Sequence, residues 1–374
     1  MKILLVSNYL HDKQESMQRF ALVLQDGLTA LGHEVRLIRP QPIFGKIIPA
    51  HNGLGKWLGY IDKFILFPLQ LQKAAASSDV VHICDHSNAM YVKYLQDVPH
   101  LVTCHDLLVV RAALLGEDTG CLVSPTGKFL QNWILNSLKQ AQMIACVSNY
   151  TKQDLEKLVG VSSKNFRLVL NGFNYSYKQI APEEAKARLA HVANLDLTKP
   201  FILHIGAAIK RKNRQGVIKI INRIKDDWDG QLVLVGAPLT PDLVAMIEQY
   251  KLSDRIVQIT YPDNSLVEAL YNLAVGLLFP SLSEGFGWPV IEAQACGCPV
   301  ICSDRASLPE VAGDAALIRS IDDEAGFATD ILRLMDATQR NFWVQKGLEN
   351  VKRFTTEKMI FEYISCYKEL YMSL

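Results

Sequence analysis

No run of about eighteen apolar residues occurs anywhere in the 374-residue sequence, so no segment is read as crossing a membrane. The opening stretch "MKILLVSNYL" is apolar only briefly before it turns polar, too short for the hydrophobic centre of an export signal and suited to a first buried strand. Charge of one sign is missing as well. Thirty-nine Lys and Arg stand against 38 Asp and Glu, a formal net charge of +1, which excludes a global attraction to nucleic acid and confines any basic site to a local cluster. The eight cysteines lack the paired clusters of a zinc site. "CGCPVIC" brings Cys296, Cys298 and Cys302 together, but no second cluster accompanies it and the segment reads as helix end, turn and strand. Without an export signal these cysteines are expected as buried thiols in a reducing compartment, so the expected location is cytoplasmic. Low-complexity tracts and short-period repeats are absent, and no G-x-G-x-x-G follows the first strand, which argues against a nicotinamide dehydrogenase.

What the sequence does have is alternation. Apolar strand-like runs ("KILLVS", "EVRLI", "DVVHIC", "HLVTCH", "MIACVS", then "FILHIG", "QLVLVG", "RIVQIT", "VGLLFP", "PVICS") are separated by amphipathic helical stretches, the pattern of parallel sheets covered by helices. The length suits two cores. The first helix is predicted over about Met17 to Leu31, stopped by Gly32. The polar stretch "SYKQIAPEEAKARLAHVANLDLTKP" follows "VLNGFN" and marks a linker near 172–198, after which Pro200 opens a fresh strand. The expected fold is therefore α/β, with two Rossmann-like doubly wound parallel-sheet domains facing a cleft. The first spans 1–175 and the second 176–356, with a helix over about 357–374 packing back on the first.

In such folds ligands bind at the carboxyl ends of the strands, so the loops that follow strands hold the candidates. "SEGFGWPVIEAQACGCPVI" carries Glu284 and Glu292 around Gly285, Phe286 and Gly287. Pro289 suits the first turn of a helix, and the glycines form a turn that exposes helix-terminal N–H groups to an anion such as phosphate. Loop and helix separate the two carboxylates, which therefore suit hydroxyl groups at two places on one extended ligand better than a shared proton. "GAAIKRKN" places Lys210, Arg211 and Lys212 just after a strand, a fork and a point charge suited to a diphosphate, although a short basic run is by itself most often solvated surface. His105 and Asp106 close the strand "HLVTCH", and a lone histidine there is most often structural.

Taken together, these residues resemble the retaining glycosyltransferases of family 4, of GT-B architecture. The resemblance rests on the E-x7-E motif of Glu284 and Glu292 within "PSLSEGFGWPVIEAQACGCPVICSD", the "RKN" of 211–213, "HD" at 105–106, "VSNYT" at 147–151 and "NG" at 171–172. It implies a hexosyltransferase that moves a sugar from a nucleotide-diphosphate donor (a UDP- or GDP-sugar) to a saccharide or lipid-linked acceptor in glycoconjugate synthesis, keeping the anomeric configuration. Glu284 would bind the donor sugar, Glu292 the ribose, and Arg211 and Lys212 the diphosphate; Gly206 and the backbone of Gly285, Phe286 and Gly287 would complete the donor site, with His105 beside the sugar. No aspartate cluster is dedicated to a metal, so no metal or other cofactor is expected. Two departures stand out: "HDKQESM" fills the first loop where relatives often carry a glycine pair, and Ala207 stands where some carry arginine. A nucleotide-sugar epimerase of the same fold and a non-catalytic glycosyltransferase-like partner subunit are the alternatives.

Smaller features have plainer readings. Ser148 is placed to cap the helix "TKQDLEKL". Asn171 and Gly172 are read as a turn at the domain junction, with a hinge role as the alternative, and Glu310 is expected in a loop in preference to a contact with the cleft. Trp57, Tyr60, Ile61, Phe64 and Ile65 recur at helical spacing near Lys56 and Lys63, with Pro68 ending or kinking the helix. A helix packed on the first sheet is the preferred reading, and peripheral contact with the inner face of the membrane is the other.

Overall fold

The computed structural model describes residues 1–12, 14–45, 53–121, 123–160 and 166–372, with the side chains of 53–56 outside that description. Lys13 of the first loop and the Lys56 side chain therefore lie outside the described residues. Packing divides the chain into two units: 1–116, 123–174 and 355–374 form the first, and 117–122 with 175–354 form the second.

The first unit holds β1 (Lys2–Val6), α1 (Glu15–Ala30), β2 (Glu34–Ile38), α2 (Gly53–Ile61), α3 (Phe67–Ala75), β3 (Val80–Ile83), β4 (His100–Cys104), α4 (Leu108–Leu115), α5 (Pro125–Leu138), β5 (Met143–Cys146), α6 (Asn149–Val159) and β6 (Phe166–Leu168). Its six strands pair in the order β2-β1-β3-β4-β5-β6, all parallel. Side-chain alternation splits its core into two layers: Leu4, Val6, Val81, Ile83 and Val102 face one way, and Ile3, Leu5, Val80 and Leu101 the other. Helix α1 begins two residues before the predicted start, and Gly32 ends it with φ 81°, the left-handed conformation a helix stop requires.

Within the second unit run α7 (Pro182–Leu189), β7 (Phe201–Gly206), α8 (Arg214–Ile224), β8 (Gln231–Gly236), α9 (Pro241–Gln249), β9 (Ile256–Thr260), α10 (Asn264–Leu273), β10 (Gly276–Phe279), α11 (Trp288–Ala295), β11 (Val300–Ser303), α12 (Leu308–Ala312), β12 (Leu317–Arg319), α13 (Glu324–Arg333) and α14 (Ala337–Asn350). Its strands order as β12-β11-β10-β7-β8-β9, again all parallel. The order reverses between β7 and β10, so the loops leaving these two strands diverge and leave a crevice at their carboxyl ends. In the first unit the same reversal falls between β1 and β3.

The stretch read as a linker is in part a helix. Pro182 opens α7, Glu183 and Glu184 follow in its first turn, Lys186 and Arg188 sit in its last, and Ala185 and Leu189 are buried. Arg188 donates to Glu268 on α10 at 2.8 Å, which fastens the helix down. The last helix, α15 (Thr356–Met372), belongs to the first unit and buries Met359, Ile360, Tyr363, Ile364 and Tyr367 against the sheet face of Ile3 and Leu5.

That face contains a buried polar chain. His82 lies 2.7 Å from Tyr367 OH through Nδ1 and 2.7 Å from Thr103 Oγ1 through Nε2, and Thr103 Oγ1 is 2.9 Å from Tyr363 OH. Burial, with His105 nearby, pushes the His82 ring down to about 3. In the second unit, burial likewise pushes His204 down to about 3. Both rings stay neutral when folded and take up a proton when unfolded, at about 6.5. A depressed native pKa of this kind gives stability that is present above the unfolded value and lost as pH falls. The expected result is a decline of about 1.4 kcal/mol per pH unit for each ring between about pH 6.5 and 3. Urea unfolding at pH 7, 6, 5 and 4.5 measures it, and a flat profile across that range would refute the assignment.

Candidate active site

The second unit's crevice is built by two loops. After β7 the chain makes a 3-10 turn over Lys210–Lys212, closed by Asn213 at φ 52°, whose side chain caps α8 by accepting from Gly216 N at 3.2 Å. Asn213 also donates through Nδ2 to Pro280 O at 3.0 Å, and Leu282 N donates to Arg211 O at 2.8 Å. These bonds hold the loop after β10 in register with the basic turn. Asn213 of the "RKN" run is thus a structural clamp that places its two neighbours.

Both neighbours converge on Glu284. Lys212 Nζ lies 2.6 Å from Oε1 and Arg211 Nη1 2.7 Å from Oε2. Burial alone would raise the Glu284 pKa, but the charges of Lys212 and Arg211 outweigh it and hold the carboxyl below its usual range. The Lys212 ammonium is itself brought below its ordinary value, by burial first and with Glu284 opposing. Its stem runs over Gly206, where a Cβ would meet Lys212 Cγ and Cδ at 3.0 Å, and its Nζ lies 4.8 Å from the centre of the Phe279 ring. Glycine at 206 is what lets the lysine approach so closely.

The turn into α11 is anchored from below. Gly287 adopts φ 103°, and a Cβ there would stand 2.7 Å from Leu308, so both conformation and space demand glycine. Ser307 Oγ bonds the carbonyl oxygens of Glu284 at 2.9 Å and Phe286 at 2.8 Å. The Phe286 ring points inward against Phe354 and Trp288, at centroid separations of 5.7 and 5.9 Å, so only its backbone is left to meet a ligand. Trp288, for which the sequence offers no role, is half-buried and packs on that ring. Glu292 follows on α11, buried, and accepts from Tyr271 OH at 3.0 Å. Arg214 is buried as well and donates to the carbonyls of Gly206 and Ala237 at 2.7 and 2.8 Å. At Glu284 two cations, Arg211 and Lys212, thus share one carboxylate, a surplus of one positive charge in a largely buried cluster.

Eight of the nine predicted site residues belong to this unit, and His105 belongs to the first. His105 is buried after β4, donates Nε2–H to Cys84 O at 3.0 Å, and packs edge-on against Phe20. Burial lowers its pKa, with Asp85 opposing, and the neutral ring keeps Nδ1 as its acceptor. Ser148 accepts from Thr151 N at 3.1 Å as the cap of α6. Gly172 is fixed by close approach, since a Cβ there would meet Thr356 Cα at 2.7 Å. Seven of the cysteines are buried and Cys121 is half-buried, all as free thiols.

Neither reading of the aromatic stripe fits as a whole. Tyr60 and Phe64 pack inward, Phe64 onto Trp133 of α5, whereas Trp57 and Ile65 are 62% and 61% exposed. Lys63 is held by Asp12 at 2.6 Å. Pro68 does not end the helix: a π-helical turn over Asp62–Leu66 precedes it, with Phe67 N bonding Asp62 O, and α3 continues beyond.

Sequence reasoning missed Tyr271, Ser307, Arg214 and Gly120. Gly120, in the 117–122 excursion, has φ 75°, and a Cβ there would meet Arg211 N at 2.8 Å, so this short strap lies directly on the basic turn. Among the described residues no group of three or more His, Cys, Asp and Glu side chains is placed to hold a metal ion, and no helix is long and apolar enough to cross a membrane.

Residues 17–177 match the family model described as Glycosyltransferase Family 4, and residues 186–347 match that described as Glycosyl transferases group 1. The chain is 28% identical over 292 residues to O-antigen chain mannosyltransferase B of Escherichia coli, covering 75% of each chain. Among solved structures it is similar to sucrose-phosphate synthase from Thermosynechococcus elongatus, with a TM-score of 0.78, 20% identity and full coverage of both chains. It is also similar to HepE of Anabaena in complex with UDP and glucose, with a TM-score of 0.76 and 13% identity over 99% of this chain and 100% of that one. At these identities the two structures speak for the fold.

Proposed function

Since the chain belongs to the family 4 type of glycosyltransferase, built on the GT-B fold, we propose that it moves a hexosyl group from a nucleoside diphosphate sugar to a saccharide or lipid-linked acceptor with retention at the anomeric carbon. The observation that carries this reading is the convergence of Arg211 and Lys212 on Glu284 at the strand-order reversal, beside the N-terminus of α11. Buried surplus positive charge is offset by a bound anion, and the chemistry needs one there: as the sugar becomes oxocarbenium-like, the departing diphosphate gains negative charge at its β-phosphate. Cations held in place before the reaction stabilise that charge without reorganising. Arg211 and Lys212 do this, and the amides of the 285–287 turn assist, a role that leaves no step for a metal ion.

Glu284 then exchanges part of its ion pairing for the donor sugar's hydroxyls, and Glu292, oriented by Tyr271, takes the ribose. His105 lies in the first unit, where its neutral ring spends Nε2–H on Cys84 O, and it is not the proton acceptor in this reading; the incoming hydroxyl gives its proton to the leaving phosphate. The UDP and glucose bound by the Anabaena neighbour favour a UDP-sugar, and the mannosyltransferase relative keeps mannose among the candidate sugars. Thermal shift with UDP, GDP and ADP tests the donor, since a ligand at about a hundred times its Kd adds about 2.7 kcal/mol to stability. NMR coupling at the anomeric proton of the product tests retention. If no nucleotide stabilises the protein, or if the product is inverted, the reading fails.

A further inference from the structure

We infer that Arg214 is a positioning residue for the diphosphate site: it fixes the strand ends on which the Lys212 stem rests, and through them the place of the Lys212 ammonium. This rests on the donor reading above. Arg214 is the first residue of α8, two positions beyond Lys212, and it is 4% exposed. Its guanidinium reaches the sheet. Nη2 donates to Gly206 O at 2.7 Å and to Val235 O at 3.2 Å, and Nη1 donates to Ala237 O at 2.8 Å. Gly206 and Gly236 are register partners at the carboxyl ends of β7 and β8, so one planar fork ties both strand ends and the first residue after β8.

Gly206 is the link between the two side chains. A Cβ at Gly236, where φ is 124°, would stand 2.4 Å from Gly206 O and 3.3 Å from Arg214 Nη2. The Gly206 carbonyl is thus confined between the Arg214 fork and the backbone of Gly236. Its α-carbon carries the lysine, since a Cβ there would meet Lys212 Cγ and Cδ at 3.0 Å. Contact this close leaves no slack, so a rotation of the Gly206 peptide moves the surface under the lysine stem.

Packing does not account for an arginine at this place. The first turn of a helix disfavours a cation, and burial strips a guanidinium of its water. Among the described residues no carboxylate pairs with Arg214, its Nε has no hydrogen-bond partner, and burial draws its pKa below the ordinary arginine value. An apolar side chain would fill the space at least as well, since even paired buried charges can be exchanged for apolar residues without loss of stability. What an apolar residue cannot do is hold three carbonyl oxygens with one rigid fork.

Calorimetric titration of the full chain with UDP and UMP, and with GDP and GMP, reads the part played by the β-phosphate as the ratio of the two Kd values. The wild type is expected to bind one diphosphate about tenfold or more tightly than its monophosphate, and Lys212→Met to lose most of that ratio. Arg214→Met should lower the ratio about threefold or more while monophosphate binding stays within about twofold. In the Lys212→Met background it should lower it no further, because the effect passes through the lysine. Arg214→Lys keeps the charge without the fork and should be as low as Arg214→Met. Four outcomes overturn the inference: an unchanged ratio, equal weakening of both nucleotides, a loss as large without Lys212 as with it, or recovery in Arg214→Lys. If urea unfolding shows that Arg214→Met does not fold, Arg214→Lys decides alone, low ratio or wild-type ratio. A wild type that binds neither diphosphate more tightly than its monophosphate sinks the donor reading itself, and the inference falls with it before any variant is read.

Discussion

Replacing Lys212 with alanine is expected to lower turnover on the order of a hundredfold to a thousandfold, the loss seen when one preplaced donor to a developing oxyanion is removed. The Michaelis constant for the donor should rise far less, because the β-phosphate carries more charge in the transition state than in the bound sugar nucleotide. The structure gives two reasons to place Lys212 ahead of Arg211. Lys212 is the more buried, with 11% side-chain exposure against 22%, so water screens its charge less. Its stem is also held between Gly206 and the Phe279 ring, which fixes the ammonium in position. Lys212→Met keeps most of the stem and removes only the charge, so it should be as inactive as alanine. Were Lys212→Met to turn over near the wild-type rate, the lysine would be a packing residue and the charge argument would fall.

How much of this was legible in advance depends on where each signal lies in the chain. The ten long strands announce themselves because parallel strands covered on both faces are continuous branched-apolar runs, as "VVHI" and "GLLF" are. β6 and β12 do not, since each is a three-residue edge strand with an arginine, Phe166–Leu168 and Leu317–Arg319. Helix α7 carried its start and stop signals in "PEEAKAR", but only two of its positions are buried, too few to show apolar periodicity. No local pattern encodes the π-helical turn at Asp62. It follows from a tertiary demand, the hydrogen bonds that Tyr9, Phe44 and Gly45 donate to Asp62, relieved just before a proline.

The site divides the same way. Glu284, Gly287 and Glu292 sit in one short segment and could be read together. Tyr271 and Ser307 could not, because they approach from 21 and 23 residues away on elements that only the fold makes neighbours, and Arg214 comes from α8, far outside that segment. What sequence reading also could not supply was that Glu284, taken as a sugar contact, is first of all the counter-ion of both cations.

That counter-ion role makes Glu284→Ala the variant with the largest expected effect on stability, a loss on the order of 3–5 kcal/mol. The figure is what removal of one partner from a buried ion pair costs, because the remaining charge loses its compensation while staying away from water. Lys212 bears most of that penalty. Arg211, with a fifth of its side chain exposed, recovers part of its hydration and pulls the value toward the lower end. Combining Glu284→Gln with Lys212→Met removes both charges and keeps the side-chain volumes close, so the double variant should regain much of the stability lost by Glu284→Ala while remaining inactive. Urea unfolding of the two variants and the wild type, with transfer measured on the same samples, separates the two roles. A single variant that loses under about 1 kcal/mol would mean that solvent screens the pair as it screens a surface bridge. A double variant no more stable than the single one would mean that packing around the carboxylate, and not its charge, holds the turn from Glu284 to Gly287 in place.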